Sequence, residues 1–230
     1  MAINSRPVRS ATGPIATMDL RALRAGMTGA ILTFAGFVLL PSFRAVIEAI
    51  LGSAPARTYP RPSEIPQEEW WGISGAAIFA LIGIGVLLMA VSFPTGAVTR
   101  ALGVIGAGGF LLSGAGARAM YSFVAANLTR TGADVGAQTA ALWAVNIVSG
   151  VFLILAGCAT AAWALLLGMH GPRTGLIGQA TAVMLILCAA VILLGEIGLV
   201  LLPVQLAFLP VCATLALSLG RRMRKTAADG

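Results

Sequence analysis

Apolar residues run through this chain in long unbroken stretches, not in the alternating or one-sided patterns of a water-soluble fold. Six stretches reach or approach the roughly 20 mostly apolar residues needed to cross about 30 Å of hydrocarbon. They are Gly26 to Leu40 with an extension to Leu51, Trp71 to Phe93, Ala101 to Val124, Leu142 to Gly168, Leu176 to Gly195, and Leu199 to Gly220. Helices fit better than a membrane barrel, whose strands alternate over about ten residues, because segments such as Ala182 to Leu194 are apolar throughout. The pattern therefore predicts an all-α polytopic integral membrane helix bundle with six transmembrane helices and short loops. The last pair carries one acid, Glu196, near its middle. As a single helix, Gly175 to Gly220 would be about 69 Å long, more than twice the hydrocarbon thickness. Two helices joined at Gly195-Glu196-Ile197-Gly198 fit better, and five spans are the alternative.

Polar punctuation divides the chain into an arm at 1–25, a transmembrane bundle at 26–220 with a Pro-rich outer loop at 52–70, and a basic tail at 221–230. The arm lacks an apolar period and is expected to be flexible, ending in a short helix from Met18 to Arg24 with Asp19 near its start, where a negative group suits the helix dipole. Pro41 and Ser42 interrupt the first span. Beyond them Arg44 and Glu48 stand four apart, the spacing of a helical ion pair, and Phe43, Val46, Ile47, Ile50 and Leu51 form one apolar face suited to the lipid interface. Pro55, Pro60, Pro62 and Pro66 make the following loop stiff rather than helical. It ends in Trp70 and Trp71, which read as interface anchors of an aromatic belt; a docking surface is the sharper alternative. Pro94 with Gly96, and Gly171 with Pro172, mark tight turns on the opposite side.

Composition agrees with the pattern. Hydrophobic residues make up 58% of the chain and charged ones 10%, against about a quarter charged in soluble domains. The net charge of +7 would suggest nucleic acid in a soluble protein, but here its distribution points to lipid and no nucleic-acid partner is expected. Six spans place Arg6, Arg9, Arg21, Arg24, Arg100, Arg173, Arg221, Arg222, Arg224 and Lys225 on one side, and Arg44, Arg57, Arg61, Arg118 and Arg130 on the other with most of the acids. By the positive-inside rule both termini are cytoplasmic, in a plasma membrane such as the bacterial inner membrane. Ala54-Pro55-Ala56 resembles a signal-peptide cleavage site, but Arg44 and Glu48 interrupt the apolar stretch before it.

Candidate chemistry is sparse. Ionisable residues near lipid are functional suspects, and the six-span topology gathers Arg118, Glu196, Arg44 and Glu48 at similar depth near the outer surface. Arg118 and Glu196 are expected to pair across helices, as a structural ion pair or as a polar gate. The third span holds Gly103, Gly106, Gly108, Gly109, Gly114 and Gly116, and Gly109, Ser113 and Ala117 form a small-residue packing ridge. Asn146, Gln179 and Gln205 suit bonds between helices. Pro203 and Pro210 share a face of the last span, where each removes a helix hydrogen bond. Gly29-x-x-Leu32-x-x-Ala35-Gly36 recurs as Gly150-x-x-Leu153-x-x-Ala156-Gly157, a faint trace of inverted repetition. Cys158, Cys188 and Cys212 read as packing residues.

No catalytic, cofactor-binding or metal-binding set can be assembled. Gly72-Ile73-Ser74-Gly75 resembles an intramembrane protease motif, but no later span contains a histidine to serve as base. The one histidine, His170, falls in a loop, and the one lysine, Lys225, lies outside the membrane. Two function classes remain: an accessory or scaffold subunit that packs against other membrane subunits, or a small solute or ion transporter or channel acting as a homo-oligomer. No cofactor is expected for either. The lipid bilayer, together with other membrane subunits or copies of itself, is the expected partner.

Overall fold

The computed structural model describes residues 18–40, 65–114, 123–124, 126–127, 130–132, 134–196 and 204–228. Among the described residues 88% are helical and none is in a strand. The main helices are α1 (Leu20–Leu39), α2 (Ile65–Ser92), α3 (Ala97–Leu111), α4 (Val135–His170), α5 (Gln179–Glu196) and α6 (Val204–Ala228).

Their ends follow local chemistry. The Asp19 side chain caps α1 by accepting from the Ala22 amide at 2.6 Å, and Asp134 caps α4 by accepting from Ala137 at 2.9 Å. α1, α2 and α4 stop just ahead of Pro41, Pro94 and Pro172, because a proline disfavours helical backbone in the residue before it. After Leu111 the helix widens into a π-helical turn over residues 112–114.

Several boundaries depart from the sequence expectation. The segment from Met18 to Arg24 is no separate helix, since α1 runs through it from Leu20. Helix α2 begins at Ile65, inside the loop expected to be stiff and extended. Pro66 is tolerated because first-turn amides have no intrahelical acceptor to lose. Helix α4 starts seven residues before Leu142, at the Asp134 cap, and runs for 36 residues. Helix α6 continues through the basic segment to Ala228 and contains Pro210.

Each helix packs on its sequence neighbours and α1 packs on α6, so the main contacts form a closed circuit. The inward faces bury Phe37, Ile82, Met89, Phe93, Phe110, Trp163, Leu167, Leu185, Ile192, Leu215 and Leu219 almost completely. The outward faces are equally apolar: Ile31, Ile84, Val104, Ile105, Val151, Ile154, Val183, Leu187 and Leu217 are all exposed. Apolar surface spread over every helix is unsuited to water. Four segments among the described residues are long and apolar enough to cross a membrane: Leu20–Leu39, Gly75–Ser92, Ala97–Gly114 and Trp143–His170; Gln179–Gly195 is apolar but shorter. The chain is a helical protein whose apolar helices fit a membrane.

Lipid tails are as apolar as leucine, so burial alone gives little drive between helices; close packing must supply it. The closest approach joins α1 to α2. A Cβ on Gly29 would lie 2.5 Å from the Gly85 carbonyl oxygen, and one on Gly85 would lie 2.6 Å from the Gly29 carbonyl oxygen. Backbone meets backbone there, and only glycine leaves the room.

Candidate functional site

Of the expected polar cluster, Arg44, Glu48 and Arg118 lie outside the described residues. Glu196 is the last residue of α5, and Trp70 and Trp71 fall in the second turn of α2; the side chains of all three lie outside the described part. The same holds for Asn146 and Gln205, while Gln179 is exposed at the start of α5 and Pro203 lies outside.

The small-residue ridge is placed in part. Gly109 packs on α4, where a Cβ would come within 2.8 Å of the Ala156 Cβ. Ser113, in the π turn, meets Ser149: the Ser149 hydroxyl donates to the Ser113 carbonyl at 3.0 Å, and the two hydroxyl oxygens are 3.1 Å apart. With its proton so used, Ser149 Oγ is the acceptor for Ser113. Ala117 lies outside the described residues. The seam runs on toward the start of α3, where Gly106 faces Thr160 and Gly103 faces Trp163 and Ala90. Thr160 Oγ1 and Trp163 Nε1 are buried on this seam without a hydrogen-bond partner. The repeated Gly-Leu-Ala-Gly pattern does not keep equivalent contacts. Gly29 and Gly36 pack on α2, whereas Ala156 packs on α3 and Gly150 has open space beside it.

Rings occupy the interior. Phe37 stacks on Phe208 with centroids 4.7 Å apart, and Phe110 meets both edge-on at 5.9 and 6.1 Å. Phe79 lies 6.5 Å from Phe110, so the cluster ties α1, α2, α3 and α6. Nearer the α2–α3 turn, Phe93 packs on Trp163 at 6.2 Å. The buried polar residues among those described are Thr33, Ser92, Ser113 and Thr160. Thr33 and Ser92 return their hydroxyls to their own helix, at the Gly29 and Leu88 carbonyls. Cys188 and Cys212 are buried within this packing.

Charge is sorted by end. The start of α1 lies by the ends of α2 and α6, through Gly26 against Ser92 and Leu219. The Arg222 guanidinium donates to the Gly175 carbonyl, tying α6 to the α4–α5 turn. Gly175 takes φ +69° there, a left-handed backbone that suits glycine. Partial burial pushes the Arg222 pKa below its ordinary value. This end carries Arg21, Arg24, Arg100, Arg173, Arg221, Arg222, Arg224 and Lys225, and Asp19 is its one acid among the described residues. Glu68, Glu69, Asp134 and Glu196 belong to the opposite helix ends.

At the basic end, the α2–α3 and α4–α5 turns border a partly open cavity of about 270 Å³. Pro94, Thr95, Gly96 and Thr99 line one side; Leu166, Leu167, His170, Gly171, Thr174 and Leu176 line the other. His170 is not in a loop but is the last residue of α4, with Nδ1 3.0 Å from the Leu166 carbonyl oxygen. No motif in the sequence marks this group. The available signal was the match between two proline turns, Pro94-Thr95-Gly96 and Gly171-Pro172-Arg173-Thr174, each holding a glycine and a threonine.

No family model matches the chain, and comparison with curated proteins and with solved structures likewise finds no match.

Proposed function

We propose that the chain is a non-catalytic accessory or scaffold subunit of a larger membrane complex, one serving transport or energy transduction. In this reading it sits in the bacterial inner membrane through six spans with both termini in the cytoplasm. The cluster of Phe37, Phe79, Phe110 and Phe208 carries the proposal. A conduit needs polar groups or water along its wall, and rings from four helices fill the place where one would run. The apolar outer faces suit contact with lipid or with neighbouring subunits, and the sorted charge supports the assigned orientation.

Gentle purification from native membranes followed by mass spectrometry tests the proposal. A subunit brings unrelated membrane chains in fixed ratio. The alternative, a homo-oligomeric solute or ion transporter, predicts one kind of chain that moves solute when reconstituted in liposomes. Recovery of the chain alone, with flux, refutes the subunit reading.

A further inference from the structure

Five cations of the basic end stand on one pair of helices, in matching steps. Helix α1 starts and α6 finishes there, and the two pack on each other. A Cβ on Gly26 would lie 3.2 Å from a Leu219 methyl, and one on Gly220 would lie 3.8 Å from the Met27 sulfur. Packing continues past that level, since Leu23 is buried and Met18 and Met223 rest on the same core. Arg222 is held by the Gly175 carbonyl. The remaining charges therefore ride on packed helix, not on a loose tail.

Arg24 and Arg221 each stand two residues beyond the Gly26–Leu219 contact, and Arg21 and Arg224 each stand five beyond it. At about 1.5 Å per residue, the two pairs lie about 3 Å and about 7.5 Å past the contact on both helices. All four are exposed, as is Lys225 beside Arg224. Their faces matter as much as their depth. On α1, Arg21 and Arg24 continue the exposed stripe of Thr28, Ile31, Phe34 and Val38, at spacings of three and four. On α6, Arg221 and Arg224 continue from exposed Leu217. Opposite charge is scarce here. Asp19 is committed to the Ala22 amide as the α1 cap, and Asp229 lies outside the described residues.

We propose that the outer face of the α1–α6 pair binds an anionic phospholipid. Arg21, Arg24, Arg221, Arg224 and Lys225 surround its phosphate, and its acyl chains lie along Ile31, Phe34 and Leu217. Guanidinium groups present paired N–H donors that match phosphate oxygens, and arginine stems can lie on apolar surface while their heads reach the headgroup layer. An acidic protein segment would use the cations but leave the apolar stripes behind them bare; a lipid engages both. The inference rests on the membrane setting of these helices, and not on whether the chain is a subunit or a transporter.

The full-length chain in neutral detergent is titrated with phosphatidylglycerol carrying a dansyl group on one acyl chain, read by energy transfer from its four tryptophans. Bound probe is then competed with unlabelled phosphatidylglycerol, phosphatidylcholine, or inorganic phosphate against potassium chloride of equal ionic strength. Each cation near an anionic lipid raises attraction roughly fivefold, so phosphatidylglycerol should displace the probe at a mole fraction roughly tenfold or more below phosphatidylcholine. Inorganic phosphate should do no better than chloride.

Charge-matched variants locate the site. Arg24→Gln with Arg221→Gln should weaken phosphatidylglycerol binding roughly tenfold or more. Arg100→Gln with Arg173→Gln removes the same charge from the same end but off this helix pair, and should cost less than about threefold. Arg24→Lys with Arg221→Lys keeps the charge and should stay within about fivefold of wild type at an unchanged thermal midpoint. Equal losses in the two glutamine pairs would mean diffuse attraction and overturn the proposal. So would equal competition by the two lipids, or displacement by phosphate beyond that by chloride. A chain that stays dissolved without detergent refutes the membrane setting itself; one that needs detergent and shows no headgroup preference refutes the lipid site alone.

Discussion

The crossing of α1 and α2 gives the sharpest quantitative test. Adding one methyl in Gly85→Ala puts a carbon 2.6 Å from the Gly29 carbonyl oxygen and 2.8 Å from the Thr33 amide nitrogen. Ordinary contact begins near 3.4 Å, so the helices must part by somewhat under 1 Å. A gap of 0.5–1 Å forfeits about a quarter to a half of each dispersion contact. If the crossing involves on the order of 100 atom pairs at about 0.1–0.2 kcal/mol each, a quarter of their sum is roughly 2.5–5 kcal/mol. Alanine's better helix propensity returns about 1 kcal/mol. The net cost is then about 1.5–4 kcal/mol, a drop of roughly 3–16 °C in thermal midpoint for a chain of this size. The control is Gly108→Ala on α3, where nothing lies within 4 Å of the added carbon. That change should be neutral or stabilising by up to about 1 kcal/mol. Tryptophan-fluorescence melts in one detergent compare the variants directly. Equal midpoints for Gly85→Ala and wild type, or equal losses for the two alanine variants, would refute the idea that backbone contact sets this crossing.

Other outcomes follow from the same packing. Phe208→Ala removes the ring stacked on Phe37 and should cost about 3–5 kcal/mol, read as a lowered midpoint, without opening solute flux in liposomes. Thr160→Val deletes a buried hydroxyl with no partner while keeping the shape; the midpoint should hold or rise, since an unmet polar group costs about 1–3 kcal/mol. A double-mutant cycle of Ser113→Ala and Ser149→Ala should give a coupling of roughly 0.6 kcal/mol, the average for bonds between membrane helices; zero coupling would remove that pair from the seam. Asp134→Ala should loosen the start of α4 by about 0.5–2 kcal/mol, seen as faster hydrogen exchange confined to its first turns.

Much of the helical plan is legible in the chain. The apolar runs place the helices, and Asp19, Asp134, Pro41, Pro94 and Pro172 mark several of their ends. Length is less legible: α4 passes its expected start, running through Thr139 and Gly136 back to the cap that Asp134 supplies. Facing is hardly legible at all. In water an amphipathic stripe tells inside from outside, but here Ile82 is buried and its near neighbour Ile84 exposed with the same apolar character. The phenylalanine cluster therefore could not be drawn from positions 37, 79, 110 and 208. The cavity was hidden for a related reason, since its walls come from two turns more than 70 residues apart in the chain.

Helix α4 is far longer than the hydrocarbon layer that its apolar part could cross. At about 1.5 Å per residue its 36 residues span roughly 54 Å, against about 40–45 Å for a bilayer with its headgroups. Fitting it wholly within about 30 Å of hydrocarbon would need a tilt beyond the roughly 0–40° that membrane helices adopt. Laid across a bilayer at tilts up to about 40°, a helix of that length would carry at least one end out of the hydrocarbon and into the headgroup layer or past it.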